Sequence, residues 1–188
     1  MNKGITLSTG DLIGILNSDD IFHSSEVIKN IVNFHEENRI QASIGEVIQI
    51  RKNGDIVRYY SSFGWSPHKL SYGFMPPHPS IFFKRDVFQK YGLFDTSFKI
   101  AADYELITRF FVKRDISWKY SRITTTNMLI GGVSSSGLSS YRLITQEIKR
   151  ALKINEVEYF SLIIDLRFVW KIFGLFKARI FLKNMNKY

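Results

Sequence analysis

Leu12-Ile13-Gly14-Ile15-Leu16-Asn17-Ser18-Asp19-Asp20 is the stretch that decides the fold. Its first five residues form a continuous apolar run, the composition of a short strand buried on both faces; the next four make a polar turn. Glu26 to Phe34 follows with apolar residues at Val27, Ile28, Ile31, Val32 and Phe34, a spacing that predicts a helix returning along the sheet. A buried strand, an acidic turn and a helix in that order indicate an α/β domain. In open α/β sheets the carboxyl ends of such strands are where ligands bind.

Further along, Ile44 to Ile50 and Ile56 to Tyr60 flank Lys52-Asn53-Gly54-Asp55, and Asn-Gly between extended runs predicts a hairpin. Phe63 to Pro79, rich in Gly, Pro and aromatics, reads as an irregular surface segment. Ser80 to Phe83 is expected as a strand, Asp86 to Tyr91 as a short helix stopped by Gly92, and Ala101 to Val112 as a helix with Ala102, Leu106 and Phe110 at spacing four. Ser117 to Tyr120 and Ile123 to Leu129 are expected extended, Gly131 to Gly137 as a loop suited to a flap, and Tyr141 to Ile154 as a helix.

The 188 residues suffice for one domain with a sizeable core, and 45% hydrophobic residues with 23% charged exclude a disordered or coiled-coil chain. There is no cysteine, so no disulfide framework or thiolate metal site exists, and a cytoplasmic setting is expected. Met1 to Asp20 holds no secretory signal. Of the net charge of +9, Leu166 to Tyr188 carries +6 with no acid, leaving +3 for everything before it. A basic tail, rather than a nucleic-acid-binding surface spread over the domain, is the expectation. Asp165, Arg167, Lys171 and Lys177 interrupt its apolar runs well before the roughly 20 residues of a spanning helix. Arg167, Lys171, Gly174 and Lys177 fall on one helical stripe. This suits either a basic amphipathic helix on an anionic membrane surface or a terminal helix packed on the domain with its lysines solvated.

Phosphate-loop, dinucleotide-binding, zinc-protease and EF-hand signatures are all missing. Asp19 and Asp20, with Asn17 and Ser18 as neutral oxygen donors, suit a hard cation such as Mg²⁺ or Mn²⁺ bridging to phosphate. The same residues also suit a helix N-cap. Asp103, in the first turn of its helix, suits either a general base or a carboxylate stabilising the helix dipole.

Met1-Asn2-Lys3-Gly4-Ile5, Thr9-Gly10-Asp11, Leu16-Asn17-Ser18-Asp19-Asp20, His78-Pro79-Ser80-Ile81-Phe82-Phe83, Gly92-Leu93-Phe94-Asp95, Ala101-Ala102-Asp103-Tyr104-Glu105-Leu106 and Gly131-Gly132-Val133-Ser134 together resemble family 2 glycosyltransferases of the GT-A fold. The resemblance implies a GT-A-like, Rossmann-like α/β fold lacking its first strand-helix units, with a partial transferase domain over 1–137 and a helical, basic amphipathic tail over 138–188. Met1 falls inside the family pattern, so an N-terminally truncated domain without the nucleotide-base pocket is implied.

The resemblance further implies a nucleotide-sugar donor and a saccharide or lipid-linked acceptor, with inversion, in cell-surface polysaccharide synthesis at the inner face of the membrane. No nucleic-acid partner is expected. Asn17-Ser18-Asp19 stands at the family's D-x-D position with Asn replacing the first Asp, which leaves Asp19 as the implied ligand of Mn or Mg. Asn2, Asn17, Ser18 and Asp20 are placed around the nucleotide sugar, His78 and Tyr104 around the acceptor, and Asp103 at the base. Residues 160–188 are the implied membrane contact. Two alternatives accompany this expectation: a truncated remnant without activity, and a module that binds a membrane surface.

Overall fold

The computed structural model describes residues 1–130 and 137–166. Six strands form one mixed sheet in the order β1-β5-β3-β6-β2: β1 Leu12–Gly14, β2 Ile21–Phe22, β3 Ala42–Ile50, β5 Ile81–Lys84 and β6 Trp118–Leu129, with β4 Ile56–Tyr60 pairing to β3. The long strand β3 organises the sheet. Its first three residues pair with β5 and its last four with β4 along one edge, while β6 runs parallel along the other. The expected hairpin joins β3 to β4, closed by the Gly54 N–H to the Arg51 carbonyl, with Gly54 at φ +88°.

The run at Leu12 to Leu16 is less buried than expected. Only Leu12–Gly14 is strand, Ile13 alone is buried within it, and Leu16 is 39% exposed. Among the described residues β1 pairs with β5 only, so a run apolar enough for two covered faces sits at a sheet edge. The two extended runs expected at Ser117 and Ile123 are one strand. Arg122 at φ +59° and the register shifts against Ile44 to Val47 mark the irregularity that divides them in the sequence. β3 and β6 approach so closely here that a Cβ on Gly45 would stand 2.5 Å from the Ile123 carbonyl oxygen.

Helix α2, Val27–Asn38, covers one sheet face with Val27 and Ile31 against Phe82, and ends at Arg39 in the left-handed conformation. The opposite face holds the main core. There α4, Ala102–Thr108, runs into a π turn at Arg109–Lys113, and its Leu106, Ile107, Phe110 and Phe111 pack with Phe83, Phe88, Trp65 and Trp118. The widened turn is why the single helix expected over Ala101 to Val112 is α-helical for its first part only. Helix α3, Arg85–Tyr91, is stopped by Gly92 at φ +89°, and α1, Asn2–Leu7, sends Ile5 into the core.

Helix α5, Gly137–Ile154, begins four residues before the expected Tyr141. It shares the main core through Ile148, Ala151 and Leu152, so packing continues across the 137/138 boundary expected from the motifs. The chain after it turns back, with Ile164 fully buried and Lys149 Nζ 2.6 Å from Asp165. The expected loop at 131–136 and the basic tail from 167 onward lie outside the described residues. Among the described residues no helix is long and apolar enough to cross a membrane.

Candidate active site

Antiparallel pairing of β1 with β5 sets Gly14 opposite Phe82, so the turn leaving β1 and the segment entering β5 share one end of the sheet. The first carries Asn17 to Asp20 and the second carries His78. Ile15, two residues before Asn17, lines a small cavity together with His78 and Asp103; Ile81, Phe83, Phe94, Leu106 and Ile107 complete its wall.

The acidic turn is closed by the Asp20 N–H donating to the Asn17 carbonyl and by Asn17 Nδ2 donating to Asp20 Oδ2 at 2.8 Å. Asn17, Ser18 and Asp19 are exposed. Asp20 is only 5% exposed, and its Oδ1 is buried without a hydrogen-bond partner. An orphaned carboxylate oxygen beside the exposed Asp19, with an amide and a hydroxyl adjacent, is an all-oxygen donor set. It fits a hard divalent cation that takes one or two carboxylates and completes its shell with substrate phosphate and water. Among the described residues no cluster of three His, Cys, Asp or Glu side chains is close enough to hold a metal unaided.

Asp103 opens α4. Its Oδ1 accepts the Tyr104 N–H at 2.7 Å, and its Oδ2 stands 3.4 Å from His78 Nδ1. Both side chains remain partly open to solvent, 26% and 31% exposed. His78 sits between Pro77 and Pro79 in a short 3₁₀ turn, so its backbone is rigid.

Two residues expected at the substrates have their side chains engaged elsewhere. Asn2 makes a reciprocal pair with the backbone of Phe94, Nδ2 donating to the carbonyl at 2.8 Å and Oδ1 accepting the N–H at 3.0 Å. Tyr104 is 1% exposed and its hydroxyl donates to the Leu70 carbonyl, so the side chain anchors α4 in the core and does not face the cavity. Its neighbour Asp103 lies about 100° away around the helix, which is enough to separate the two.

A residue that sequence reasoning missed braces the segment just ahead of Asp103. Glu147 on α5 is buried, and its carboxylate accepts the backbone N–H groups of Lys99, Ile100 and Ala101 at 2.8 to 2.9 Å, just ahead of Asp103. Burial pushes its carboxyl pKa up, but these three amides together with the nearby Arg150 outweigh that and leave it below the ordinary carboxylate range. No local motif marks it, because its partners lie 46 to 48 positions earlier.

The family model for glycosyl transferase family 2 matches residues 1–102. The PGL/p-HBAD biosynthesis glycosyltransferases of Mycobacterium bovis and Mycobacterium tuberculosis are 21% identical over 141 residues, covering 72% of this chain and 52% of theirs. The chain therefore spans about half the length of these curated relatives. Among solved structures, S. aureus TarS 1-349 superposes with a TM-score of 0.55 at 14% identity, covering 87% of this chain and 46% of that one. A second S. aureus TarS structure gives 0.53 at 14% identity over 78% of this chain and 26% of that one. The fold is that of the GT-A glycosyltransferases, and the chain belongs to glycosyl transferase family 2.

Proposed function

We propose that this chain carries the reacting half of an inverting sugar transfer from a nucleotide-diphosphate sugar to a saccharide or lipid-linked hydroxyl. The observation that carries the reading is that the Asp103–His78 pair lines a small cavity together with Ile15, which stands two residues before the acidic turn. Asp103 Oδ2 takes the proton of the acceptor hydroxyl as that oxygen attacks the anomeric carbon. The bond from the anomeric carbon to the diphosphate breaks, its electron pair leaves on the diphosphate, and attack from the opposite side inverts the centre. Asp19, with Asp20 Oδ1 behind it, would hold Mn²⁺ or Mg²⁺. Such a cation, when bound, supplies Lewis-acid stabilisation of the leaving diphosphate's charge. Asn17 and Ser18, exposed on the same turn, are placed to hydrogen-bond the nucleotide, and His78 to border the acceptor.

The acceptor is assigned to a surface polysaccharide or glycolipid at the inner face of the cell membrane. The naming of the mycobacterial relatives as PGL/p-HBAD biosynthesis glycosyltransferases supports this choice, as do Phe160 and Leu162, which are about 70% exposed just ahead of the basic tail. Isothermal titration of nucleoside diphosphates in the presence of Mn²⁺ tests the donor side. Binding heat in the wild type and its loss in Asp19→Ala are expected; equal heats would count against the reading.

A second reading, a piece that acts only beside further strands, is favoured by one observation. Among the described residues the outer edge of β1 is unpaired, and beside it lies an apolar cavity of about 560 Å³ lined by Leu12, Ile28, Ile31, Val32 and Phe82. Sugar transfer by the purified 188-residue chain would exclude it.

A further inference from the structure

We propose that His78 is the positioning residue for Asp103: its Nδ1 stands 3.4 Å from Asp103 Oδ2, and with acceptor bound its N–H donates to that oxygen and sets the direction in which it meets the acceptor hydroxyl. The inference rests on Asp103 being the base.

Asp103 has two oxygens with different surroundings. Oδ1 is tied to the Tyr104 N–H at 2.7 Å, which fixes one side of the carboxylate to the start of α4. Oδ2 faces His78 Nδ1 at 3.4 Å, across the cavity that both side chains line. That separation is longer than a well-formed N–H···O bond. Catalytic contacts in substrate-free enzymes are commonly this long and tighten when substrate arrives.

The mount of His78 suits such a role. The Ser80 N–H and Oγ both donate to the Pro77 carbonyl, at 2.9 and 2.7 Å. The Pro79 carbonyl accepts the hydroxyls of Thr125 and Thr126, both fully buried on β6. A turn pinned from both sides fixes the backbone from which the imidazole projects, and supporting groups on rigid elements are what keep a reacting atom in place.

A carboxylate oxygen has two lone-pair sites. In the acceptor-bound state one of them accepts the His78 Nδ1–H and the other meets the acceptor hydroxyl. During transfer the acceptor O–H bond breaks and its proton goes to Oδ2; the freed pair forms the new bond to the anomeric carbon, and the old carbon–oxygen pair leaves with the diphosphate. His78 keeps its own proton throughout, which distinguishes it from a second base.

The contact is made by the δ nitrogen, and that is testable. His78→Asn keeps an amide N–H near the Nδ1 position, whereas His78→Gln moves it out toward Nε2. His78→Ala and His78→Gln are expected to lower kcat by about 10- to 100-fold with donor KM nearly unchanged, and His78→Asn to recover most of the loss. Equal rates for the Asn and Gln variants, or a wild-type rate for His78→Ala, overturn the proposal. Asp103→Asn assayed alongside separates the two ideas: full activity there refutes the base itself, while loss there with full activity in His78→Ala refutes only the role of His78. A readout independent of turnover is the long-range ¹H–¹⁵N spectrum of the four histidines in alkaline buffer. The Nδ1–H tautomer of His78 is expected in the wild type and its loss in Asp103→Ala; one unchanged tautomer in both proteins overturns the proposal.

Discussion

Glu147 Oε2 accepts the backbone N–H of Ala101 at 2.8 Å, so a carboxylate on α5 fixes the residue at which the helix bearing Asp103 begins. The same carboxylate takes the N–H groups of Lys99 and Ile100. The result is a charge-assisted clamp between α5 and the loop ahead of the candidate base.

Removing it should be costly, because three backbone amides, that of Ala101 buried, lose their acceptor together. Glu147→Ala is expected to lower stability by about 3 kcal/mol, on the scale of a hydrogen bond to a charged group left unmade. Urea denaturation checks this; a variant within experimental error of the wild type would show that the clamp contributes nothing.

The clamp also has a pH signature. Because the folded-state pKa of Glu147 is depressed, its contribution is fully present above the unfolded value, near 4.5, and is lost as pH falls through the lower folded value. Melting temperatures measured from pH 7 down to acid should therefore fall more steeply below about pH 4.5 for the wild type than for Glu147→Gln. Parallel curves would contradict the assignment.

A second prediction concerns the sheet. At Gly45 an added methyl would stand 2.5 Å from a backbone oxygen of the neighbouring strand and 2.9 Å from the Thr125 methyl, and neither can swing away as a flexible side chain does. Gly45→Ala should destabilise by about 1–3 kcal/mol, the usual range for overpacking. Thermal melting of the two proteins decides it.

The acidic turn makes a further prediction. With Asp20 Oδ1 orphaned and Asp19 exposed, Mn²⁺ together with a nucleoside diphosphate should raise the melting temperature of the wild type. At a hundredfold excess over the dissociation constant the stabilisation expected is about 2.7 kcal/mol. Asp19→Ala and Asp20→Asn should each reduce the shift, and chelation by EDTA should abolish it. A shift retained in both variants would move the cation site elsewhere.

These residues divide by how local their signals are. The β3–β4 hairpin was legible because Asn53-Gly54 specifies its turn chemically, and α2 because Val27 and Ile31 of its apolar pattern fall on the face it buries, although Ile28 and Val32 stay exposed. The apolar run at Leu12 revealed a strand, but composition does not record how many neighbours a strand has, and β1 sits at an edge. Strand β2 has two residues and owes its existence to β6, about a hundred positions later, so no local pattern announces it. In the site, the acidic turn, His78 and Asp103 were legible as a set of motifs in order. Tyr104 shows the limit: the resemblance placed it around the acceptor, and the helix turns its side chain into the core. Glu147 was illegible for the same reason in reverse, since its partners are near only after folding.

The most direct test of the account is release of nucleoside diphosphate from a panel of nucleotide sugars, with acceptor extract and Mn²⁺, by the wild type and by Asp103→Asn. The account predicts turnover in the wild type with one donor preferred. It also predicts a loss of about 10²- to 10⁴-fold in the variant, the span attributed to a general base, with melting temperature and Mn²⁺–diphosphate binding unchanged. An Asp103→Asn protein that transfers sugar at the wild-type rate would contradict it.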